Sequence, residues 1–488
     1  MKTSDYIAQR IKREVDTVFG VTGGCVVNLV DSFKKAGLRI IPMHHEQSAS
    51  IASDAYARFK GFGVCYATSG AGVTNLIPGV ACSYFDSIPV LAIGGQVPSK
   101  LLDGVDRQTG FQEADGVSLF KPITKLSKRY KNINDLEACI QVAKKPRRGA
   151  TFLEIPDDVQ REQIEIPEEA SDGFDLHGIP KGMIANFPEF KRPLAIIGSG
   201  ARDLQLKIEM PFLCTWGIKD KYCHNKFYKG DFGITGSPNG NKLIKEADLI
   251  IMIGTKLDTH HCPDWNKFAP QAFKIAVGLE FPHKVDKIIE RELNFSLTLG
   301  GNDWCKRSKE NKTNTKYYRW IDKISMKADK NDIIIPDMGQ TGCIVLQRWG
   351  IKEGQRMFNG MNHSPMGYSI PGAIGASMAT DRRVIVIIGD GSLMMNLQDL
   401  QTVSDWNLPI NIFVINNGGY GMIKQTQADW KKYLEQDVAC SFKIPDIRKL
   451  ADVFGLEYTD KLSSKPSIYA LKFNDTRIEP KWKYGEVL

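Results

Sequence analysis

Gly389-Asp390-Gly391-Ser392 and Asn416-Asn417 carry the strongest chemical signal in the sequence. The first group follows the apolar run 384–388 and the second closes the apolar run 410–415. As neighbouring parallel strands, the two runs would place both turns on the carboxyl edge of one sheet, where open α/β sheets bind ligands. Asp390 can offer a hard carboxylate oxygen to Mg2+, and Asn417 a carbonyl oxygen. Gly391 lets the backbone approach a phosphate closely, and Ser392 can donate a hydrogen bond to it. A diphosphate would supply the remaining oxygens around the metal. Asp-Gly and Asn-Gly are also ordinary turn pairs, so neither half carries this reading alone.

The chain that must position these residues has 488 of them, enough for two to four domains and a large core. Hydrophobic residues make up 42% and charged residues 25%, the profile of an ordinary globular protein. The net charge of +8 is modest for this size and favours acidic small molecules rather than nucleic acid. Only Lys144-Lys145-Pro146-Arg147-Arg148 forms a compact basic run, read as a solvated loop. The ten cysteines include no C-x-x-C pair, so they read as reduced core residues of a cytoplasmic protein. His260-His261-Cys262 lacks a second ligand cluster at zinc spacing. The N-terminus shows no apolar signal-peptide core, and no apolar run approaches membrane-spanning length.

Short apolar runs alternate with helical patterns throughout, which predicts an α/β protein with doubly wound parallel sheets. Strands are expected at 18–21, 39–43, 64–68, 89–93 and 152–156, with a helix at about 46–60. A proline-containing acidic stretch at 157–180 reads as a linker. A second unit follows, with strands at 194–198 and 248–254. Gly198-Ser199-Gly200 lacks the third glycine of a dinucleotide fingerprint and reads as a strand-to-helix turn. The charged stretch 306–316 marks a second boundary, and the third unit has strands at 333–336, 384–388 and 410–415. The expected domains are 1–165, 181–305 and 317–488.

Beyond the Asp390 and Asn417 pair, several segments resemble thiamine-diphosphate-dependent enzymes of the acetolactate synthase large-subunit group. They include Phe19-Gly20-Val21-Thr22-Gly23-Gly24, His45-Glu46-Gln47, Thr68-Ser69-Gly70-Ala71-Gly72-Val73-Thr74-Asn75, Gly95-Gln96-Val97-Pro98 and Met366-Gly367-Tyr368-Ser369. The resemblance runs through nearly the whole chain and implies a pyrimidine-binding, a central and a diphosphate-binding domain. It makes Glu46 the carboxylate beside the cofactor's pyrimidine ring. There it favours the imino tautomer, whose nitrogen can remove the thiazolium C2 proton. A glutamate at a helix start also complements the macrodipole, whatever its chemistry. Asp390 and Asn417 match the metal ligands, with the Gly419 carbonyl as the third. Gly339, Gln340 and Thr341, together with Gly391 and Ser392, match the diphosphate cradle, although the family often has histidine at the place of Thr341. Met366 matches the apolar wedge under the cofactor. In the family the Glu46 and Asp390 sites come from different subunits, which implies a homodimer or homotetramer.

The reaction is read from the loop 95–115. Gln96 and Gln112 match positions that flank the substrate in acetolactate synthases, and a glutamine amide can donate to a carbonyl or to the alkoxide forming on it. The loop holds no histidine to protonate a carbanion, unlike simple pyruvate decarboxylases. A carboligase is therefore expected, joining a 2-oxo acid donor, pyruvate first, to a carbonyl acceptor. The alternative is a 2-oxo acid or oxalyl-thioester decarboxylase, and a non-catalytic relative stands further off. The wording of 107–113 resembles the acetolactate-synthase-like proteins of bacterial surface-polysaccharide pathways. Arg107 would suit an acceptor bearing phosphate, or is a surface arginine. FAD remains an open expectation, with Arg147 and Lys256 near the expected places but a short middle domain. Ser364-Pro365 departs from the family's Gly-Thr.

Overall fold

The computed structural model describes the chain except residues 103, 105, 166–182, 187–188, 279, 281–284, 291–295, 302, 306–312, 431–432, 435, 440–442, 480 and 482–488. Most of the expected linker, most of the charged stretch 306–316 and Cys440 thus lie outside the described residues. By contact the chain gathers into two compact units. One comprises Met1–Phe174, Asn359–Ile415 and Lys443–Leu471, the other Asp175–Phe358, Asn416–Phe442 and Lys472–Leu488. The expected C-terminal domain therefore contributes segments to both. No helix among the described residues is long and apolar enough to cross a membrane. The nine described cysteines are free thiols.

In the first unit, β1 (Thr17–Gly20), β2 (Arg39–Pro42), β3 (Gly63–Ala67), β4 (Val90–Gln96), β5 (Leu126–Arg129) and β6 (Thr151–Pro156) form one sheet in the order β2-β1-β3-β4-β6-β5. Every pairing is parallel. The order reverses beside β1, so the carboxyl ends of β1 and β3 open the crevice in which such folds bind ligands. Strands β3, β4 and β6 are buried along their whole length, as β-branched and aromatic runs covered on both faces should be.

The second unit contains β7 (Met183–Asn186), β8 (Pro193–Ile197), β9 (Gln205–Glu209), β10 (Phe212–Cys214), β11 (Tyr228–Asp231), β12 (Leu249–Ile253), β13 (Phe273–Gly278), β14 (Lys287–Glu290) and β15 (Ser296–Gly300). They form a six-stranded sheet, β11-β10-β8-β12-β13-β14, and a small sheet, β7-β15-β9, that the sequence reading did not anticipate. The strand-to-helix turn expected at Gly198-Ser199-Gly200 is corrected here: a single 3-10 turn, Ser199–Ala201, leads into strand β9. The reason lies in Gln205-Leu206-Lys207-Ile208-Glu209, whose polar–apolar alternation suits a strand rather than a helix. Strands β16 (Ile333–Pro336) and β17 (Arg356–Met357) pair in parallel in the same unit. In the first unit β18 (Val384–Gly389) pairs with β19 (Ile410–Asn416), and β20 (Glu457–Tyr458) with β21 (Ser467–Lys472).

The helix Glu46–Lys60 is the centre of the first unit. His45 caps it by accepting a hydrogen bond from the Gln47 amide at 3.1 Å, and Gly61 ends it in the left-handed region at φ 83°. Its sequence, Glu-Gln-Ser-Ala-Ser-Ile-Ala-Ser-Asp-Ala, is rich in small residues, and 48–57 are all buried. Small side chains let other backbone come close. A Cβ on Gly375, in the helix Ser369–Thr380, would overlap the Ala52 carbonyl oxygen. One on Gly79, in the helix Ile77–Phe85, would overlap Ser50 and sit 2.6 Å from the Ile51 nitrogen. Gly63 stands in the same relation to the Ser53 carbonyl. A buried network closes the far end. Asp54 accepts hydrogen bonds from Arg58 at 2.8 Å, Tyr368 at 2.5 Å and Ser83 at 2.9 Å, while Arg58 also reaches Asp86 at 2.6 Å.

This packing reverses an ordinary expectation. Gly→Ala in an exposed helix interior stabilises by about 1 kcal/mol. Gly375→Ala should instead destabilise by about 1–3 kcal/mol, because the added methyl meets backbone that cannot step aside. Thermal unfolding checks the sign; a raised Tm would contradict the packing described.

Candidate active site

The carboxyl edge of the first sheet collects the turn after β1, Glu46 after β2, the turn after β3 and Gln96 at the end of β4. Glu46 opens its helix, and its carboxylate accepts a hydrogen bond from Asn75 Nδ2 at 3.0 Å. Gly72 lies against it: a Cβ there would be 3.3 Å from Glu46 Oε1. The turn Thr68–Gly72 is therefore pressed between Glu46 on one side and Gln112 on the other. Gly70 has φ 62°, and a Cβ on it would lie 2.6 Å from both Cγ and the carbonyl oxygen of Gln112. Gln112 itself has φ 64° and donates from Nε2 to the Ser69 carbonyl at 2.9 Å. Ser69 also donates to Cys25 Sγ at 3.2 Å, and Thr68 Oγ1 accepts from the Cys25 amide.

Gln96 has a different setting. It is buried, and its amide nitrogen donates to the Ala114 carbonyl at 2.6 Å and to Glu154 Oε1 at 3.0 Å, while its oxygen accepts from the Val97 amide. Glu154 also receives the Gly116 amide at 3.2 Å and Arg129 at 2.6 Å. Burial pushes the Glu154 carboxyl up, against the pull of Arg129. Gln96 and Glu154 thus clamp the two ends of the loop that presents Gln112. Within the loop Glu113 accepts from the Thr109 and Gly110 amides, Phe111 is 93% exposed and Arg107 is exposed.

At the end of β18, Asp390 begins a one-turn helix, Asp390–Leu393, with one carboxylate oxygen accepting from the Gly391 amide at 2.8 Å. Asp390, Gly391 and Ser392 are buried. The register pairs Gly389 with Ile415, so β18 and β19 end side by side. The half-buried Met366 precedes Gly367, whose φ is 86° and where a Cβ would lie 2.7 Å from Met395 Cβ and 3.2 Å from the Ser392 carbonyl. Met366 and the Asp390 turn are therefore brought together in the first unit.

In the second unit Gly339, at φ 78°, precedes the helix Gln340–Arg348. Gln340 Oε1 accepts from Thr476 Oγ1 at 2.7 Å, and its Nε2 donates to Gln425 at 3.0 Å. Asn417 Nδ2 donates to Thr476 at 3.0 Å, so one hydroxyl ties Gln340 and Asn417 together. Gly418 and Gly419 have φ of 72° and 135°. Thr341 is buried. A Cβ on Gly421 would overlap Gln340 Oε1 and lie 2.6 Å from Asn417 Nδ2. This cradle, with positive-φ glycines and amide side chains, suits a diphosphate, and the Asn417 amide can offer a hard oxygen of the kind Mg2+ takes; in the first unit the Asp390 carboxylate can do so too.

Sequence reasoning passed over Asn75, Glu154, Gly421, Gln425 and Thr476. Asn75 closes the family-like segment 68–75; nothing in spacing alone marks the other four. Among the described residues no three His, Cys, Asp or Glu side chains gather as a metal cluster. His261 instead pairs with Asp258 at 2.7 Å. Arg147 donates to Ser87 at 2.9 Å, and Lys256 is exposed.

Three matches with known families cover most of the sequence. Residues 1–119 match the thiamine pyrophosphate enzyme N-terminal TPP binding domain, 184–295 the central domain and 337–471 the C-terminal TPP binding domain. The chain belongs to the thiamine pyrophosphate enzyme family. It is similar to the acetolactate synthase large subunit of Cyanidium caldarium, with 29% identity over 93% of this chain and 88% of that one. Acetolactate synthase isozyme 2 large subunit of Escherichia coli K12 is 28% identical over 93% and 90%. A probable acetolactate synthase large subunit of Methanocaldococcus jannaschii is 28% identical over 96% and 88%. The protein is thus a thiamine-diphosphate-dependent enzyme of the acetolactate-synthase-like group.

The Gly421 cradle can be tested directly. Gly421→Ala should leave thermal stability within a few degrees, since the methyl meets side-chain amides rather than core backbone. It should lower thiamine diphosphate affinity at least about tenfold, a cost of ~1.4 kcal/mol, by displacing Gln340 and Asn417. Calorimetric titration with saturating Mg2+ gives the affinity; wild-type binding would remove these residues from the cradle.

Proposed function

We propose that this enzyme is a carboligase: it moves an acyl carbanion from a 2-oxo acid, pyruvate first, to a carbonyl acceptor. The observation that carries this reading is the placing of Gln112. It is held by the Ser69 carbonyl on the same turn that packs against Glu46, and no histidine stands in residues 97–115. An amide fixed there can donate to an alkoxide forming on the acceptor, an interaction worth ~3 kcal/mol in comparable sites. Proton delivery without a positioned acid forgoes on the order of a hundredfold. Both effects favour ligation over release of an aldehyde.

In this reading Gly339, Gln340, Thr341, Gly391 and Ser392 hold the diphosphate, and Asp390, Asn417 and the Gly419 carbonyl hold Mg2+. Met366 would pack against the cofactor. Glu46 holds the proton at the pyrimidine ring. Bound thiamine diphosphate supplies the electron sink that stabilises a carbanion. Gln96 and Glu154 fix the loop, and Gln112 meets the acceptor. The assembly is a homodimer or homotetramer, since the resemblance sets Glu46 and Asp390 in different subunits. The three domains run over 1–165, 181–305 and 317–488. Flavin forms no part of this reading.

The test supplies purified enzyme, thiamine diphosphate, Mg2+ and pyruvate with a panel of carbonyl acceptors, and mass spectrometry quantifies the products. An acetolactate-type or acetoin-type adduct, or a branched keto sugar, should exceed free acetaldehyde. Gln112→Ala should lower adduct formation about a hundredfold and CO2 release far less. Acetaldehyde dominating across the panel would replace this reading with a decarboxylase.

A further inference from the structure

A buried carboxylate outside the chemistry described so far ties the Glu46 helix to the Met366 bend. Asp399 is fully buried. Its Oδ1 accepts from the His44 backbone amide at 3.3 Å, immediately before the helix. Its Oδ2 takes the Ser48 hydroxyl, on the first turn of the same helix. Ser48 Oγ also lies 3.2 Å from Asn396 Oδ1, and Asn396 Nδ2 donates to the Gly367 carbonyl at 2.9 Å. The chain of contacts runs His44, Ser48, Asp399, Asn396, Gly367, all within the first unit. Glu46 stands between the first two of these, and Met366 precedes the last.

We infer that Asp399, acting through Ser48 and Asn396, is a positioning residue that sets the angle at which the Glu46 helix begins and the height of the Met366–Gly367 bend. Two acceptor oxygens engage two donors on either side of Glu46, so the first turn is fixed in rotation as well as in depth. Asn396, 3.2 Å from Ser48 Oγ and donating to the Gly367 carbonyl, connects this anchor to the bend. These contacts add polar anchors at the helix start to the backbone packing that Gly63, Gly79 and Gly375 make further along it. Burial pushes the Asp399 carboxyl up to about 6, against the lowering pull of its hydrogen bonds from the Ser48 hydroxyl and the His44 amide. Geometry errors at a reacting group cost large factors in rate even when binding is unchanged.

The inference rests on the activating role proposed for Glu46. The experiment compares wild type with Asp399→Asn, Asp399→Ala, Ser48→Ala, the Ser48→Ala/Asp399→Asn double variant and Glu46→Gln. Hydrogen–deuterium exchange at C2 of bound thiamine diphosphate is followed by NMR after acid quench, per cofactor-occupied site, alongside kcat and KM for pyruvate. Asp399→Asn should slow exchange and kcat about tenfold with KM within twofold. The double variant should be no slower than Asp399→Asn, because both act through one contact. A role in folding alone would lower the number of occupied sites and leave the rate per site at the wild-type value, which overturns the inference. Independent, multiplying effects of the two substitutions would overturn it as well. Asp399→Asn keeps an acceptor for His44 and the shape of the side chain, so it reports even if Asp399→Ala does not fold. Glu46→Gln exchanging at the wild-type rate would reject the role of Glu46 itself. Collapse in Glu46→Gln with wild-type exchange in the other variants rejects only the inference.

Discussion

The helix Glu46–Lys60 is approached by backbone from three sides, and the arrangement of the first unit depends on that close contact. Gly63, Gly79 and Gly375 each stand where a methyl group would strike its main chain. Close backbone packing of this kind has little compliance, because neither side can change rotamer to relieve a misfit. The helix cannot slide or rise without lifting a strand and two helices with it. The residue at its N-terminus is Glu46, so a structural constraint becomes a chemical one. A carboxylate that must meet one edge of a ring needs a fixed origin, and here that origin is set by steric exclusion along the helix together with the polar contacts at its first turn.

The surrounding site follows the same logic. The turn Thr68–Gly72 uses glycine at 70 and 72 because Gln112 and Glu46 occupy the space that side chains would take. Gln112 reaches its place because Gln96 and Glu154 clamp the loop at both ends, a buried polar arrangement in which both amide hydrogens of Gln96 are engaged. In the second unit, one Thr476 hydroxyl links Gln340 and Asn417, residues far apart in sequence. Rigid elements thus carry the groups proposed to react, and short polar bridges hold the loops against them, as a preorganised site requires.

Much of this was legible in the residues. The helix expected at about 46–60 forms at Glu46–Lys60. The long apolar strands of both units were readable from composition and flanking turns, and the family from motifs spread along the chain. What could not be read has a physical cause in each case. The pairing of Gln96 with Glu154 depends on β4 lying beside β6, a contact between residues 58 apart that no local pattern announces. The small sheet β7-β15-β9 joins three short strands drawn from distant places. Gly198-Ser199-Gly200 looked like the start of a helix because the glycine pattern weighed more than the alternation after it. Thr476 and Gln425 sit near the end of the chain in an undistinguished segment, and only folding brings them to Gln340 and Asn417.

The central claim is that packing holds the Glu46 carboxylate where it meets the cofactor's pyrimidine ring. A crystal structure of the enzyme with thiamine diphosphate and Mg2+ tests it most directly. The account predicts a helix 46–60 unmoved in its main chain, with the Glu46 carboxylate in hydrogen-bond distance of a pyrimidine ring nitrogen. A pyrimidine ring bound elsewhere, or a Glu46 carboxylate bonded to Asn75 alone and turned from the ring, would contradict it.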